Sequence, residues 1–423
     1  MTPSNVRGAS CPWLLSISLL IPSAAYGQGT CQVKHLAIFD ADAAEYTEER
    51  SVELHAGANT VEWRSLAPQA ILGTLLVTVD QAEVVRQSIT PDGPEVRGQK
   101  TPVLHLLLQN NGPAGPRKVR VDYLAPKLSW KANYSLLLAS AVHAGTPEKM
   151  VLDGWISVKN ETAADICADV VDLIAGEVQF VDVGNPAARA YVANAQASAS
   201  LSAGMTEGAG AEVSQVSVFS RIALGRNITL AANALTERFP LFQRLKLPVE
   251  QRNVFENEAG TQTLGRGGFT LLPRSLEVRL VSRNDSSKPL PEGIMTIYSP
   301  EGGVPQVVGQ DRIPLIPPGS DFSVSMGRSN TLQGTRRIIE RRQAPDVENR
   351  FKLVTRVEVT ITNHGSEPSA AVVREGVENF GKGDWMITES SHPWQKLGER
   401  GVEFKLPVPA NSSAKLQYVV EIR

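Results

Sequence analysis

"VEVTITNHGSEPSAAVVREG", Val357 to Gly376, alternates apolar and polar residues, halts at an asparagine, crosses a short polar turn and resumes alternating. Val357, Val359 and Ile361 fall on one side, Glu358, Thr360 and Thr362 on the other, which is the period-two signature of a half-buried strand. Asn363 continues the apolar parity, so it faces inward just where the strand leaves the core. An asparagine placed there accepts backbone N–H groups two residues on and pins the reversal. The same phrase recurs as "LHLLLQNNGPAG" (Leu104–Gly115), "WISVKNETAADI" (Trp155–Ile166) and "VRLVSRNDSSKPLPEG" (Val278–Gly293). Four such units predict a mainly β chain of tandem antiparallel β-sandwich, immunoglobulin-like domains, with Asn110, Asn160, Asn284 and Asn363 as structural turn residues rather than ligands.

Outward from these units, turn signals punctuate the chain at short intervals: "HAGAN", "PDGPE", "GPAGP", "PEGGVP", "IPPGSD" and "PVPANSS" consume much of its Gly 34 and Pro 27. One segment breaks the pattern. Residues 187–214 are dominated by Ala, Ser and Gly, with few large apolar groups to offset ordering entropy, and read as a flexible insertion between strands. Aromatic content is 6%, too low for the interfacial girdles of an outer-membrane barrel.

The opening residues read as an address. Arg7 supplies a positive charge, "WLLSISLLI" (Trp13–Ile21) is apolar but too short to span a bilayer, and small residues surround Tyr26 up to Gly27, so residues 1–27 are expected to be a secretory signal peptide. Signal cleavage leaves no transmembrane segment, and the mature chain is expected in the periplasm or secreted. Its two cysteines, Cys31 and Cys167, then lie in an oxidising compartment, either bridged across a long loop or as two unpaired thiols. The formal net charge is −2. Without a concentrated basic face nothing recruits nucleic acid; the densest basic run, "RRIIERRQ" (Arg336–Gln343), is short and interrupted by Glu340.

The six histidines, His35, His55, His105, His143, His364 and His392, are scattered without metal-ligand spacing, and no nucleophile elbow, phosphate loop or dinucleotide fingerprint occurs, so no cofactor and no metal are expected. A pair of carboxylates is the remaining route to catalysis. In "GKGDWMITESSHPWQK", Asp384 and Glu389 lie among Trp385 and Trp394, which is the composition of a glycoside hydrolase site, with Glu375 or Glu378 as further acids. Such a site needs its two carboxyls roughly 5–9 Å apart across a cleft. The competing placement puts Trp385 in the core and Asp384 in the turn before it.

Several phrases carry a resemblance. "VRVDYLAPKLSWKANYSLLL" (Val119–Leu138), "GWISVKNETAADICADVVDLIAGEV" (Gly154–Val178), "LEVRLVSRNDSSKPLPEGIMTIYSPEGG" (Leu276–Gly303) and the closing "VEVTITNHGSEPSAAVVREGVENFGKGDWMITESS" and "FKLPVPANSSAKLQYVV" are similar to the bacterial domain-of-unknown-function family 4139, the mucoidy inhibitor A-like proteins. His35–Pro68 resembles the small N-terminal β-domain that accompanies that family. The coiled coil often found between the two parts is missing, because "SITPDGPEVRGQK" runs directly into strands. The resemblance implies β-sandwich domains in the cell envelope and carries over no catalytic residue. It divides the mature chain into an N-terminal β-domain at 28–98, a central β-sandwich region at 99–330 and a C-terminal β-sandwich domain at 331–423. The function expected is binding or scaffolding with an envelope protein or polysaccharide; the alternative is a carbohydrate-active hydrolase acting through Asp384 and Glu389.

Overall fold

The computed structural model describes residues 31–423 apart from 97, 140–146, 177, 179–214, 217–218, 233–235, 257–272, 302, 347–350, 377–383 and 400. The expected signal peptide at 1–27, the insertion at 187–214 and Glu378 lie outside the described residues. Within them the chain is mainly β, in sheets whose pairings are mostly antiparallel, and its one helical element is a single 3₁₀ turn at Leu72–Thr74.

Alternation decides which face of each strand is buried. In Phe351–Asn363 the alternating buried set includes Val357, Val359, Ile361 and Asn363, with Val354 and Glu358 buried on the opposite parity, and in Val103–Asn110 it includes Leu104, Leu106, Leu108 and Asn110. A seven-stranded sheet runs in the spatial order Gln215–Val216, Phe219–Leu230, Ile166–Ala175, Val33–Phe39, Ala43–Leu54, Gly115–Pro126, Leu76–Val79. Val33–Phe39 pairs parallel with Ile166–Ala175, and the disulfide Cys31–Cys167, with Cα atoms 5.0 Å apart, closes the start of that pairing at Val33 opposite Ala168. A three-stranded sheet of Gly57–Trp63, Val103–Asn110 and Ala82–Thr90 shares a core with it through Trp63, Leu104, Leu106 and Leu108.

The largest sheet has thirteen strands and is branched. Its path runs Val304–Ile313, Gly293–Glu301, Leu128–Leu138, Pro147–Asn160, Thr236–Glu256, Arg274–Arg283, Asp321–Pro345, Phe351–Asn363, Ser412–Ile422, Trp385–Ser390. The first seven of these strands curl until the two ends of the series touch. Asp311 on the edge strand accepts the backbone N–H of Ser325 at 2.7 Å, and a Cβ on Gly309 would lie 2.7 Å from the Cα of Met326. Glycine at 309 is what permits that approach.

The branch builds a second sandwich. Residues Asn253–Glu256 pair parallel with Ser369–Gly376, which pairs with Gly401–Val408, which pairs with Trp394–Leu397. This layer faces Phe351–Asn363 and Ser412–Ile422 across a core of Phe255, Leu276, Leu332, Val357, Val359, Ile361, Val373, Phe404, Leu406 and Tyr418. One buried ion pair links the two layers, Arg336 to Glu375 at 2.9 Å, with side chains 3% and 0% exposed.

The expected boundary at 98/99 does not separate sheets or cores. Ala43–Leu54 pairs along its whole length with Gly115–Pro126, and one hydrophobic cluster extends from Val33 to Val324. The expected boundary at 330/331 falls inside Asp321–Pro345, a continuous strand whose Val324 belongs to the first core and whose Leu332 belongs to the second. Thr236–Glu256 and Arg274–Arg283 cross between cores in the same way: Leu247 and Leu280 sit in the first, Phe255 and Leu276 in the second.

Candidate functional site

The four asparagines share one geometry. Each Oδ1 accepts the backbone N–H two residues on: Asn110 from Gly112 at 3.1 Å, Asn160 from Thr162 at 2.9 Å, Asn284 from Ser286 at 3.2 Å and Asn363 from Gly365 at 2.9 Å. Each Nδ2 is divided between a local carbonyl and a distant one. Asn110 donates to Pro113 and His55, Asn160 to Ala164 and Leu230, Asn284 to Lys288 and Ile316, and Asn363 to Glu367 and Pro409. With exposures of 0–2% the amides are committed to backbone groups. They reverse the strand and tie the reversal to a neighbouring turn.

Asp384 and Glu389 are not brought together. Asp384 is exposed and immediately precedes Trp385–Ser390, and Glu389 lies near the far end of that strand, so at a rise of about 3.3 Å per residue their backbones are roughly 16 Å apart. Glu389 is 62% exposed and bound to Arg356 at 2.9 Å, while Glu375 is spent on Arg336 in the core. Trp385 is half-buried at the core edge, donating its indole N–H to the carbonyl of Glu399, and Trp394 stands exposed on the edge strand. The alternative of a carboxylate pair across a cleft is thus not met, whereas Asp384 does sit just ahead of the strand, as in the competing placement.

A different acid is built into a concavity. In "AAEYTEER" the inward parity Ala44, Tyr46 carries on to Glu48, whose residue is 1% exposed. Trp63 donates its indole N–H to Glu48 Oε2 at 2.7 Å, the Ser65 hydroxyl donates to the same oxygen, and the Tyr123 hydroxyl donates to Oε1 at 2.9 Å. Burial pushes the Glu48 carboxyl above its ordinary range, against the pull of those three donors and of Arg50. Tyr46 and Tyr123, in register on the paired strands, stack with ring centroids 5.2 Å apart.

Glu48, Ser65, Tyr46 and Tyr123 form part of the wall of a cavity of about 630 Å³. Val33, Leu66, Pro68, Pro94, Val96 and Ile166 give it apolar surface, Arg50 and Arg64 give it cations, and Cys167 of the disulfide is among its lining residues. Asn160 contributes indirectly, since the turn it holds presents Thr162 and Ala164 to the same cavity. Sequence reading missed Glu48 because it sought acids near tryptophan in sequence; the available signal was an acid on the apolar parity of a strand.

A second cluster lies on the same sheet. His35 Nε2 meets Asp172 Oδ2 at 2.6 Å and Arg221 Nε donates to that oxygen at 2.6 Å. Burial alone would raise the Asp172 carboxyl, but His35 and Arg221 outweigh it and hold the group below its ordinary range. Among the described residues no group of three or more His, Cys, Asp or Glu side chains could hold a metal ion, and no helix is long and apolar enough to cross a membrane.

Neither the known protein-family models nor the curated proteins give a match to this chain, so the likeness to the mucoidy inhibitor A-like family rests on the quoted phrases.

Proposed function

We propose that this chain is an exported β-sandwich protein of the bacterial cell envelope that works by binding or scaffolding, with an envelope protein or a polysaccharide as partner. The observation that carries this reading is the state of Glu48. The acid lines a concavity, yet both of its oxygens are occupied by fixed donors, so it shapes a wall rather than standing free to exchange a proton with a substrate. Export is supported by the leader-like opening residues and by a disulfide of the kind that persists in oxidising compartments. The likeness to the mucoidy inhibitors points in the same direction.

The test is a crosslinked pull-down of the mature chain from envelope extract, scored for protein and glycan, alongside turnover of an envelope glycan by wild type and Asp384→Asn. A reproducible partner captured equally by both proteins, with no turnover by either, is expected. Turnover that disappears in Asp384→Asn would instead establish the hydrolase.

A further inference from the structure

The polar groups of the cavity wall are unequally satisfied. Glu48 is held by Trp63, Ser65 and Tyr123, and the exposed Asp165 accepts the backbone N–H of Ala232 on Oδ1 at 2.7 Å. Arg64 is also taken, by Glu62 at 2.6 Å. Arg50 is different. Its guanidinium lies 4.5 Å over the Trp63 ring and 3.8 Å from Glu48 Oε2, which is beyond hydrogen-bond length, and its side chain is 42% exposed. The cation–π contact holds the guanidinium over the ring while leaving N–H groups for an acceptor. Tyr46, also in the wall, has a buried hydroxyl without a hydrogen-bond partner among the described residues. Arg50 and Tyr46 therefore offer the wall donors beside apolar surface.

We propose that this cavity binds a small molecule bearing a carboxylate, with Arg50 clamping the carboxylate, Tyr46 supplying a further donor and the apolar wall of Leu66, Pro68, Val96 and Ile166 receiving the body of the ligand. The volume of about 630 Å³ lies within the range of small-molecule sites and is too small for a folded partner. A planar guanidinium suits a carboxylate because two parallel N–H groups meet its two oxygens. The carboxylate has two sources, a fatty acyl chain or the C-terminus of a peptide. The proposal rests on the reading of the chain as a binding protein and names what one of its surfaces takes.

Calorimetric titration of the full mature chain with sodium octanoate and with N-acetylleucine, each beside its neutral amide, tests it. At least one acid should bind at least tenfold more tightly than its amide. Octanoate alone would indicate the acyl source, and N-acetylleucine alone the peptide source. Arg50→Gln should weaken the acid about tenfold or more and leave the amide unchanged, Arg50→Lys should fall between, and Tyr46→Phe should cost a few-fold. Should Arg50→Gln fail to fold, the Lys and Phe variants carry the same comparison. Equal binding of acids and amides, no binding of either acid, or unchanged acid affinity in a folded Arg50 variant would overturn the proposal. The pull-down separates the two readings. Partners retained while no acid binds would leave the scaffold reading standing and the cavity without its ligand. Acid binding with an empty pull-down would do the reverse.

Discussion

Replacing Asn363 by alanine removes an acceptor for Gly365 and donors for Glu367 and Pro409 at a residue only 2% exposed. Groups left unmet there cost about 1–3 kcal/mol, to be read as a fall in the urea midpoint. Asn363→Asp keeps the acceptor but turns a carboxylate towards two carbonyls, so its loss at neutral pH should exceed that of alanine and shrink as the pH is lowered and the acid protonates. The Arg336–Glu375 pair gives a different pattern. Removing either partner strands a buried charge and should cost about 3–5 kcal/mol, whereas replacing both with apolar residues of similar volume should recover most of the loss. Two acids should shape the acid limb of stability with opposite signs. The depressed Asp172 stabilises above its ordinary value of 3.8, and that contribution is lost as the pH falls through the folded value. The raised Glu48 stabilises below its ordinary value of 4.5, and that contribution is lost as the pH rises through the folded value. Urea midpoints measured from pH 3 to 8 should therefore show wild type gaining on Asp172→Asn and losing ground to Glu48→Gln as the pH rises. The inward asparagines were legible because parity assigns a residue to a face before any partner is known. What parity does not supply is the identity of the distant carbonyl, so the tie from Asn363 to Pro409 emerged only from the fold.

At the scale of the element, the strand Val33–Phe39 depends on a neighbour far along the chain. Its parallel partner is Ile166–Ala175, and the bridge between Cys31 and Cys167 closes a separation of 136 residues. Chain entropy gives such a bridge roughly 5 kcal/mol at most. The double variant Cys31→Ser, Cys167→Ser should lose a large part of that in urea midpoint and should also weaken any ligand of the neighbouring cavity, since Cys167 lines it. Gly309→Val tests the curl of the large sheet. The added side chain meets the backbone of Met326, so the variant should melt lower, whereas Gly303→Ala, at a turn with open space around it but a φ of +82°, should cost only backbone strain of about 1 kcal/mol. Strand existence was readable from alternation throughout. Pairing was not, because two cysteines do not announce whether they meet, and the sequence of Gly309 says turn or loop as readily as it says close contact.

Across the whole molecule, the division drawn from sequence phrases differs from the division drawn by packing. Resemblance and turn signals placed cuts at 98/99 and 330/331, whereas the cores are shared out along Thr236–Glu256, Arg274–Arg283 and Asp321–Pro345, strands that enter both. A continuous strand carries no local mark of the point where its neighbours change, so this arrangement is invisible to periodicity. A fragment of residues 331–423 lacks Phe255 and Leu276 and begins inside a strand. Expressed alone it should show collapsed, poorly dispersed amide resonances, while a preparation that also supplies residues 236–283 in trans should recover dispersion.

The route of the chain through its two cores also sets an order of events. It enters the second core at Phe255 and Leu276, returns to the first through Leu280, Ile297 and Val324, and re-enters the second from Leu332 onward. Ser412–Ile422 then slots between Phe351–Asn363 and Trp385–Ser390 as an interior strand. A nascent polypeptide thus holds open sheet edges until residues 412–422 emerge, and such edges are templates for mispairing. Helpers that shield unfinished β-structure would matter most for this molecule during that interval, and stalling before residue 412 should send it to aggregation or proteolysis rather than to a half-built, functional intermediate.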